Sequence, residues 1–344
     1  MGALHMRPGA LQVRTSALPV TASRPTGWIW GSALAFLIAA GLLPWIGSGS
    51  ITLDRVLAKA APDYPIFVEL RVSRTLLGLL AGGALSLTGC LFQSMLRESL
   101  ADPYTLGVSA GAALGAVITF ALDLDRLMGF PAAWVGAMAG AAIVLAIVAG
   151  TSWKRGQLSG VRLLLSGIAL NGICFSFILL INSVIHDRRS FSITQWLLGS
   201  VDSVSYRALF VFAAVVSVTS TIVIAQARGW NLLAVGETWA GSRGADMRRL
   251  TITGYCCGSV LTAGAIALTG PIGFVGLIVP HVVRSRISPD NRILMPCALL
   301  LGGVMLASCD TIGRIVLAPA ELPAGAVMAL IGGPYLVWLV RRRF

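Results

Sequence analysis

The chain has 344 residues, of which 56% are hydrophobic and only 12% charged, and its mean hydropathy is +0.83. A soluble domain carries about 25% charged residues, so this composition excludes a soluble core and defines a polytopic membrane protein. A formal charge of +12 would suit nucleic acid in a soluble protein. Here the basic residues sit between apolar segments, so membrane topology explains them and no nucleic-acid partner is implied.

Residues 1–27 carry Arg7, Arg14 and Arg24 and no acid, among Pro, Gly, Ser and Thr. They read as a disordered cytoplasmic tail ahead of a single transmembrane domain over 28–344. The first apolar run closes on PWIGSGS, without a small-x-small cleavage site, and so reads as an uncleaved span. A helix needs about 20 apolar residues to cross the bilayer core. Segments near 28–47, 72–92, 105–122, 130–149, 163–185, 208–225, 251–269, 271–283, 293–309 and 322–340 meet or approach that length. The eighth is short and bracketed by Pro271 and Pro280. The fold class expected is therefore all-α, a bundle of about ten transmembrane helices.

Charge tests that count. With the N-terminus in the cytoplasm, the inside segments hold Arg7, Arg14, Arg24, Arg97, Lys154, Arg155, Arg162, Arg228, Arg243, Arg248, Arg249, Arg284, Arg286, Arg292 and Arg341–Arg343, against Glu98, Asp102, Glu237, Asp246 and Asp290. The outside segments then carry as many acids as bases, so the whole excess lies inside. This is the positive-inside pattern, with both termini cytoplasmic.

Two stretches nearly repeat: Gly83–Gly89 is GALSLTG and Gly264–Gly270 is GAIALTG. They fall in the second and seventh spans. Five crossings separate them, which makes them antiparallel, as in transporters built from inverted repeats. Small residues recur at four-residue spacing, at Gly78 and Gly82, at Gly107, Gly111 and Gly115, at Gly136 and Gly140, and at Gly254 and Gly258. They read as close helix packing. The cysteines, Cys90, Cys174, Cys256, Cys257, Cys297 and Cys309, lie in or beside apolar runs without metal-ligand spacing and read as packing residues.

The repeat alone would suit an ion-driven carrier, which usually holds an ionisable group in mid-membrane. No span has an acid near its centre; Asp102, Asp310 and Glu321 are placed at span ends. ATP is the alternative energy source, but the lysines, Lys59 and Lys154, follow Ala58 and Trp153 and lie in no phosphate-binding loop. Any ATP must bind another chain. A membrane enzyme would need clustered nucleophile, base or metal ligands, and the histidines are scattered.

Residues 226–250, the longest cytoplasmic loop, are too polar to cross yet contain Leu232, Leu233, Val235, Trp239 and Met247. Short helices broken by Gly236, Gly241 and Gly244 would present these to a partner's groove; a helix lying on lipid is the other reading. On the outer side Arg71 and Arg74 open the second span and Arg314 follows the ninth. They suit a partner bearing carboxylates, or else an intramolecular pair or a lipid headgroup.

RVSRT from Arg71, Gly82–Gly89, Gln93, LADP from Leu100 and LGVSAG from Leu106 resemble the opening of the FecCD family of ABC-importer permeases. WLLGS from Trp196, LAVGE from Leu233 with Ala240 and Gly244, GPIGFVGLIVPH from Gly270, Asp310, Arg314, ELPAG from Glu321 and GGP from Gly332 continue the match in order, from about 65 to 340. Ser73 and the Glu98–Ser99 pair depart from the usual Pro and Asn-Pro. The resemblance implies a homodimeric permease without an active site or cofactor of its own, in a bacterial inner membrane. It implies two cytoplasmic ATPase subunits that hold ATP and Mg, an extracytoplasmic binding protein, and iron–siderophore, haem or vitamin B12 as cargo. It further assigns Leu233, Gly236, Glu237, Ala240 and Gly244 to ATPase coupling and Arg71, Arg74 and Arg314 to binding-protein docking. Asn171, Ser176 and Asn182 are the path-side candidates it suggests, in-bundle hydrogen bonding being the other reading for each. His281, in a motif shared across substrates, is expected to be structural, and His186 to be a loop or headgroup contact.

Overall fold

The computed structural model describes residues 25–343 except 48, 50, 100, 125, 128–129, 155–156, 159, 186–187, 237–240, 245 and 319. The N-terminal tail is thus outside the described residues as far as 24, as is His186. Ten principal helices follow in order: α1 (Pro25–Leu42), α2 (Ser73–Leu96), α3 (Val108–Ala121), α4 (Ala132–Ser152), α5 (Gly160–Val184), α6 (Tyr206–Ala225), α7 (Met247–Thr269), α8 (Val275–Arg286), α9 (Asn291–Val316) and α10 (Ala324–Arg343). They coincide with the ten expected segments. Shorter helices occupy Leu53–Leu57, Arg188–Leu197 and Ala227–Val235, and two ladders of two residues per strand close the turns after α3 and α4.

Among the described residues, α1, α2, α4, α5, α6, α7 and α9 are long and apolar enough to cross a bilayer. The other three are shorter: α3 has 14 residues, α8 has 12, and the apolar part of α10 is Ala324–Leu339.

The core is organised around α2, which packs on α6, α7, α8 and α9. Its seam with α9 is made by missing side chains. A Cβ on Gly82 would stand 2.3 Å from the Gly302 carbonyl oxygen, and one on Gly78 would stand 3.2 Å from the Ala307 Cα. A second seam joins α3 to α4, where Gly111 meets Gly140 and Gly115 meets Gly136. In lipid, where burial of apolar surface gives helices little reason to associate, such close approach supplies the dispersion contacts that hold them together. Gly107 is the exception among the expected packing glycines. It precedes α3 with φ +78°, a left-handed turn that favours a residue without Cβ.

The two helices that carry the repeat copies pack side by side and antiparallel: Gly258 of α7 meets Phe92 and Thr88 of α2, and Gly254 meets Met95. They end differently. GALSLTG lies inside α2, which runs on to Leu96, whereas GAIALTG ends α7 at Gly270, where φ is +66°. The chain then re-enters the bundle, and α8 starts only beside the middle of α2. A Cβ on Gly89 would fall 1.8 Å from the Gly276 oxygen. The 12 residues of α8 rise about 18 Å, against a core of about 30 Å. The eighth crossing is therefore part helix and part irregular chain.

Asp102 corrects an expectation. The stretch after α2 folds back into the bundle, so Asp102 does not sit at a span end. Its Oδ1 lies 3.3 Å from where a Cβ on Gly276 would be, at the depth of the middle of α2. The carboxylate accepts from the backbone N–H groups of Tyr104, at 3.5 Å, and Phe274. It thereby ties the turn before α3 to the start of α8. Depth here is set by the fold-back rather than by distance along the chain.

Candidate functional site

Two ends of the bundle carry the expected functional residues. At one end, the helix of α2 is prolonged outward by a π-helical stretch, Ile66–Val72, which continues into Ser73. This extension was hidden in the sequence by Pro65, Glu69 and Arg71. Likewise α9 runs past 309 to Val316, so Asp310 is one helical turn before Arg314 inside the helix. Because α2 and α9 are antiparallel along their glycine seam, Arg74 arrives opposite Asp310.

The result is a buried charge cluster. The Arg74 Nε donates to both Asp310 oxygens at 3.1 Å, and Nη2 donates to Oδ1 at 2.9 Å. Its Nη1 donates to Glu321 Oε2 at 2.7 Å. Arg314 pairs with Asp310 from the other side, with Nε 3.2 Å from Oδ2, and its Nη2 donates to the Thr311 hydroxyl at 3.0 Å. The Asp310 side chain is 2% exposed and that of Glu321 is 51% exposed. Arg71 has a different environment: Nη2 donates to the Gly49 carbonyl at 2.7 Å and Nη1 to that of Trp45 at 3.4 Å. Arg71, Arg74 and Arg314, with Gly47, Leu70, Asp202 and Glu321, border one cavity of 280 Å³. The structure thus brings the three expected arginines together: Arg74 and Arg314 pair with carboxylates, and Arg71 bonds backbone carbonyls. Sequence reading named Asp310 and Glu321 without assigning them this place; the i, i+4 spacing of Asp310 and Arg314 was the available signal.

At the other end is the segment expected to couple to an ATPase. Its described part begins with the helix Ala227–Val235, pinned to the bundle by Trp230, whose ring fills the notch left by Gly254 and whose Nε1 donates to Val223 O at 2.8 Å. Leu233 is 2% exposed and packs inward, while Ala234 and Val235 face out. The Asn231 side chain donates to Asp290 at 2.6 Å and accepts from the Asn291 N–H at 2.9 Å. Gly236 ends the helix, and Gly244 turns the chain with φ +77°. Gly241 is helical rather than a break. Glu237 and Ala240 lie outside the described residues.

The three path candidates share α5 but not one face. The helix buries a single stripe, Leu163, Gly167, Cys174 and Ile178. Asn171 flanks it and donates to Tyr104 O at 2.7 Å. Asn182 flanks it as well, whereas Ser176 faces the opposite way and bonds Gly172 O of its own helix at 2.8 Å. Around the stripe Leu165, Ile168, Phe175, Leu179 and Val184 are more than half exposed, as are Leu330 and Val337 of α10. His281 is buried, with its ring edge-on to Tyr335 of α10.

Antiparallel repeats, a part-helical crossing and charged and coupling-type ends define a multi-pass transport permease. The model of the FecCD transport family matches residues 33–342, and the chain belongs to that family. It is 36% identical to the hemin transport system permease protein HmuU of Yersinia pestis, covering 81% of this chain and 84% of that one. Identity is 37% to the ferric enterobactin transport system permease protein FepD of Escherichia coli, over 91% and 94% of the two chains. It is 36% to the cobalamin import system permease protein BtuC of Halobacterium salinarum, over 89% and 82%. Among solved structures, a metal-chelate type ABC transporter in an inward-facing conformation superposes with a TM-score of 0.80 at 27% identity, over 92% of this chain and 99% of that one.

Proposed function

We propose that this permease imports an iron–siderophore complex as the membrane subunit of an ATP-driven importer. The observation that carries the reading is the pairing of two separate ends on one bundle. Three arginines gather round a cavity at one end, and an outward-facing helical tip is wedged to the bundle at the other. In this reading both termini are cytoplasmic in a bacterial inner membrane. Arg71, Arg74 and Arg314 receive carboxylates of the two lobes of an extracytoplasmic binding protein. Residues 234–244 enter the groove of a partner ATPase, one of two, which holds ATP and Mg. Leu233 and Trp230 transmit its movement because they are the part packed in the core.

The exposed apolar sides of α5 and α10 meet lipid and a second copy of the chain, and the cargo passes between the copies. Asn171 and Asn182, beside the buried stripe of α5, hold helices together, and Ser176 is the path-side candidate. The names of the ferric enterobactin relative, of the Fe(3+) dicitrate relative at 30% identity and of the metal-chelate structure support an iron chelate. The hemin permease at equal similarity supports haem as the second reading.

The test is uptake. Proteoliposomes holding the permease, its ATPase and its binding protein should accumulate ferric siderophore only with ATP inside the cytoplasmic compartment. Uptake by the purified chain driven by a proton or sodium gradient would overturn the ATP reading. Transport of haem or cobalamin in place of the siderophore would overturn the substrate.

A further inference from the structure

Two carboxylates serve Arg74, and they differ in every property that governs exchange. Asp310 is buried and is shared between Arg74 and Arg314. Losing it would leave Arg314 without its carboxylate and Arg74 with Glu321 alone. Glu321 makes one contact, from Nη1 at 2.7 Å, with its side chain 51% exposed. It stands on the connection between α9 and α10 rather than on a helix. An exposed pair of this kind contributes little to stability, so its geometry is easily given up.

Glu321 also borders the same 280 Å³ cavity as the three arginines. That is room for about nine waters at ~30 Å³ each, or for one acidic side chain and some of the water around it. Beside the cavity Asp310 is shared by Arg74 and Arg314, and on its border Glu321 pairs with Arg74. Asp202, held by the Ser200 hydroxyl at 2.8 Å, lies on the same border, so three carboxylates stand against the three guanidinium groups. The cavity is therefore close to neutral as it stands, and an acidic partner would feel little attraction to it at a distance.

We propose that Glu321 is an internal occupant of this cavity, standing where a partner's carboxylate binds, and that docking displaces it from Arg74. This rests on the docking reading of Arg71, Arg74 and Arg314. Glu321 then sets docking affinity from the permease side. It keeps the Arg74 guanidinium oriented when no partner is bound and keeps weakly acidic proteins from adhering to an open cationic cavity. Asp310 is the permanent anchor that positions Arg74 and Arg314; Glu321 is the exchangeable ligand.

The experiment measures binding of the extracytoplasmic binding protein of the same import system to the permease–ATPase complex in nanodiscs, across ionic strength. Glu321→Gln keeps the shape and removes the competing charge. It should tighten docking by roughly twofold to fivefold at low salt, the equivalent of one exposed ion pair, with a steeper salt dependence than the unaltered complex. Glu321→Ala should tighten it similarly. Unchanged or weaker docking in both would overturn the proposal, since a residue that only oriented Arg74 would lower affinity when removed. Arg74→Gln separates the two layers. If it leaves docking unaltered, the docking reading itself falls. If it weakens docking while neither Glu321 variant strengthens it, the displacement proposal alone falls.

Discussion

The two ends of the bundle are fastened by opposite means. At the arginine end, position is set by charge: a carboxylate only 2% exposed would be costly alone, and here Asp310 is matched by two guanidinium groups on α2 and α9. At the end carrying the helix Ala227–Val235, position is set by shape. The Trp230 ring enters the notch at Gly254, Leu233 follows it into the core, and a pair of asparagine hydrogen bonds fixes the register. Charge geometry holds side chains fixed while leaving a polar cavity open to a partner. A wedge fixes a whole helix as a lever and leaves its tip free. The first arrangement suits recognition and the second suits the passage of movement.

The largest effect that separates them is expected at Asp310. Asp310→Ala leaves Arg314 buried without its carboxylate and Arg74 with the half-exposed Glu321 alone, and should cost about 3–5 kcal/mol, seen as a large fall in unfolding temperature and in folded yield from detergent. Glu321→Ala, tested beside it, should cost less than about 1 kcal/mol. Equal losses from the two would show that the cluster is a single surface-like network and that its buried member has no special weight.

At the other end the matching experiment fills the notch. Gly254→Val places atoms where Trp230 and Met95 stand within 2.8 Å of a Cβ. Overpacking of this kind costs about 1–3 kcal/mol and should lift the Ala227–Val235 helix from the bundle. ATP-driven uptake in proteoliposomes should fall several-fold more than ATP hydrolysis. Uptake and hydrolysis falling together would mean that Trp230 is ordinary core and not the joint of the lever.

How much of this was legible in the sequence follows the same division. Hydropathy located all ten helices because lipid demands apolar length, and glycine spacing located the α2–α9 and α3–α4 seams because backbone approach demands missing side chains. What it missed were places where helix and apolar run part company. The π-helical stretch Ile66–Val72 and the last turns of α9 are helical but charged, so a hydropathy reading stopped short of both and left Arg71 and Asp310 outside the spans. Asp102 was missed for the converse reason: a polar turn folded back into the bundle, its carboxylate bound by backbone N–H groups. The arginines were named from their charge and place at the outer span ends, with the docking role implied by the resemblance, but that they share one cavity needed the antiparallel register of α2 and α9. Leu233 reads as exposed in a polar loop and is buried, because the short helix turns that face inward.

Gly244 sharpens the comparison at smaller scale. A Cβ there would meet nothing within 4 Å, so a substitution adds strain only through φ +77°. Gly244→Val should cost about 1–2 kcal/mol locally and lower ATP-driven uptake with little change in unfolding temperature. Normal uptake by this variant would take Gly244 out of the coupling segment.

The smallest effect is expected at Asn231. Its side chain accepts from the first N–H of α9 and donates to the Asp290 carboxylate that caps the same helix. Asn231→Ala removes both bonds, but Asp290 still accepts from the Arg292 N–H at 3.0 Å, so the cap survives. The loss should be about 1 kcal/mol, with uptake only modestly lowered while the Trp230 wedge stays in place. Combined with Gly254→Val, the two changes should cost more uptake than the product of their separate effects. Both then loosen one rigid lever, and its remaining fastening cannot hold it alone. Strictly multiplicative losses would mean that Asn231 serves the α9 cap and that the lever is held by shape only.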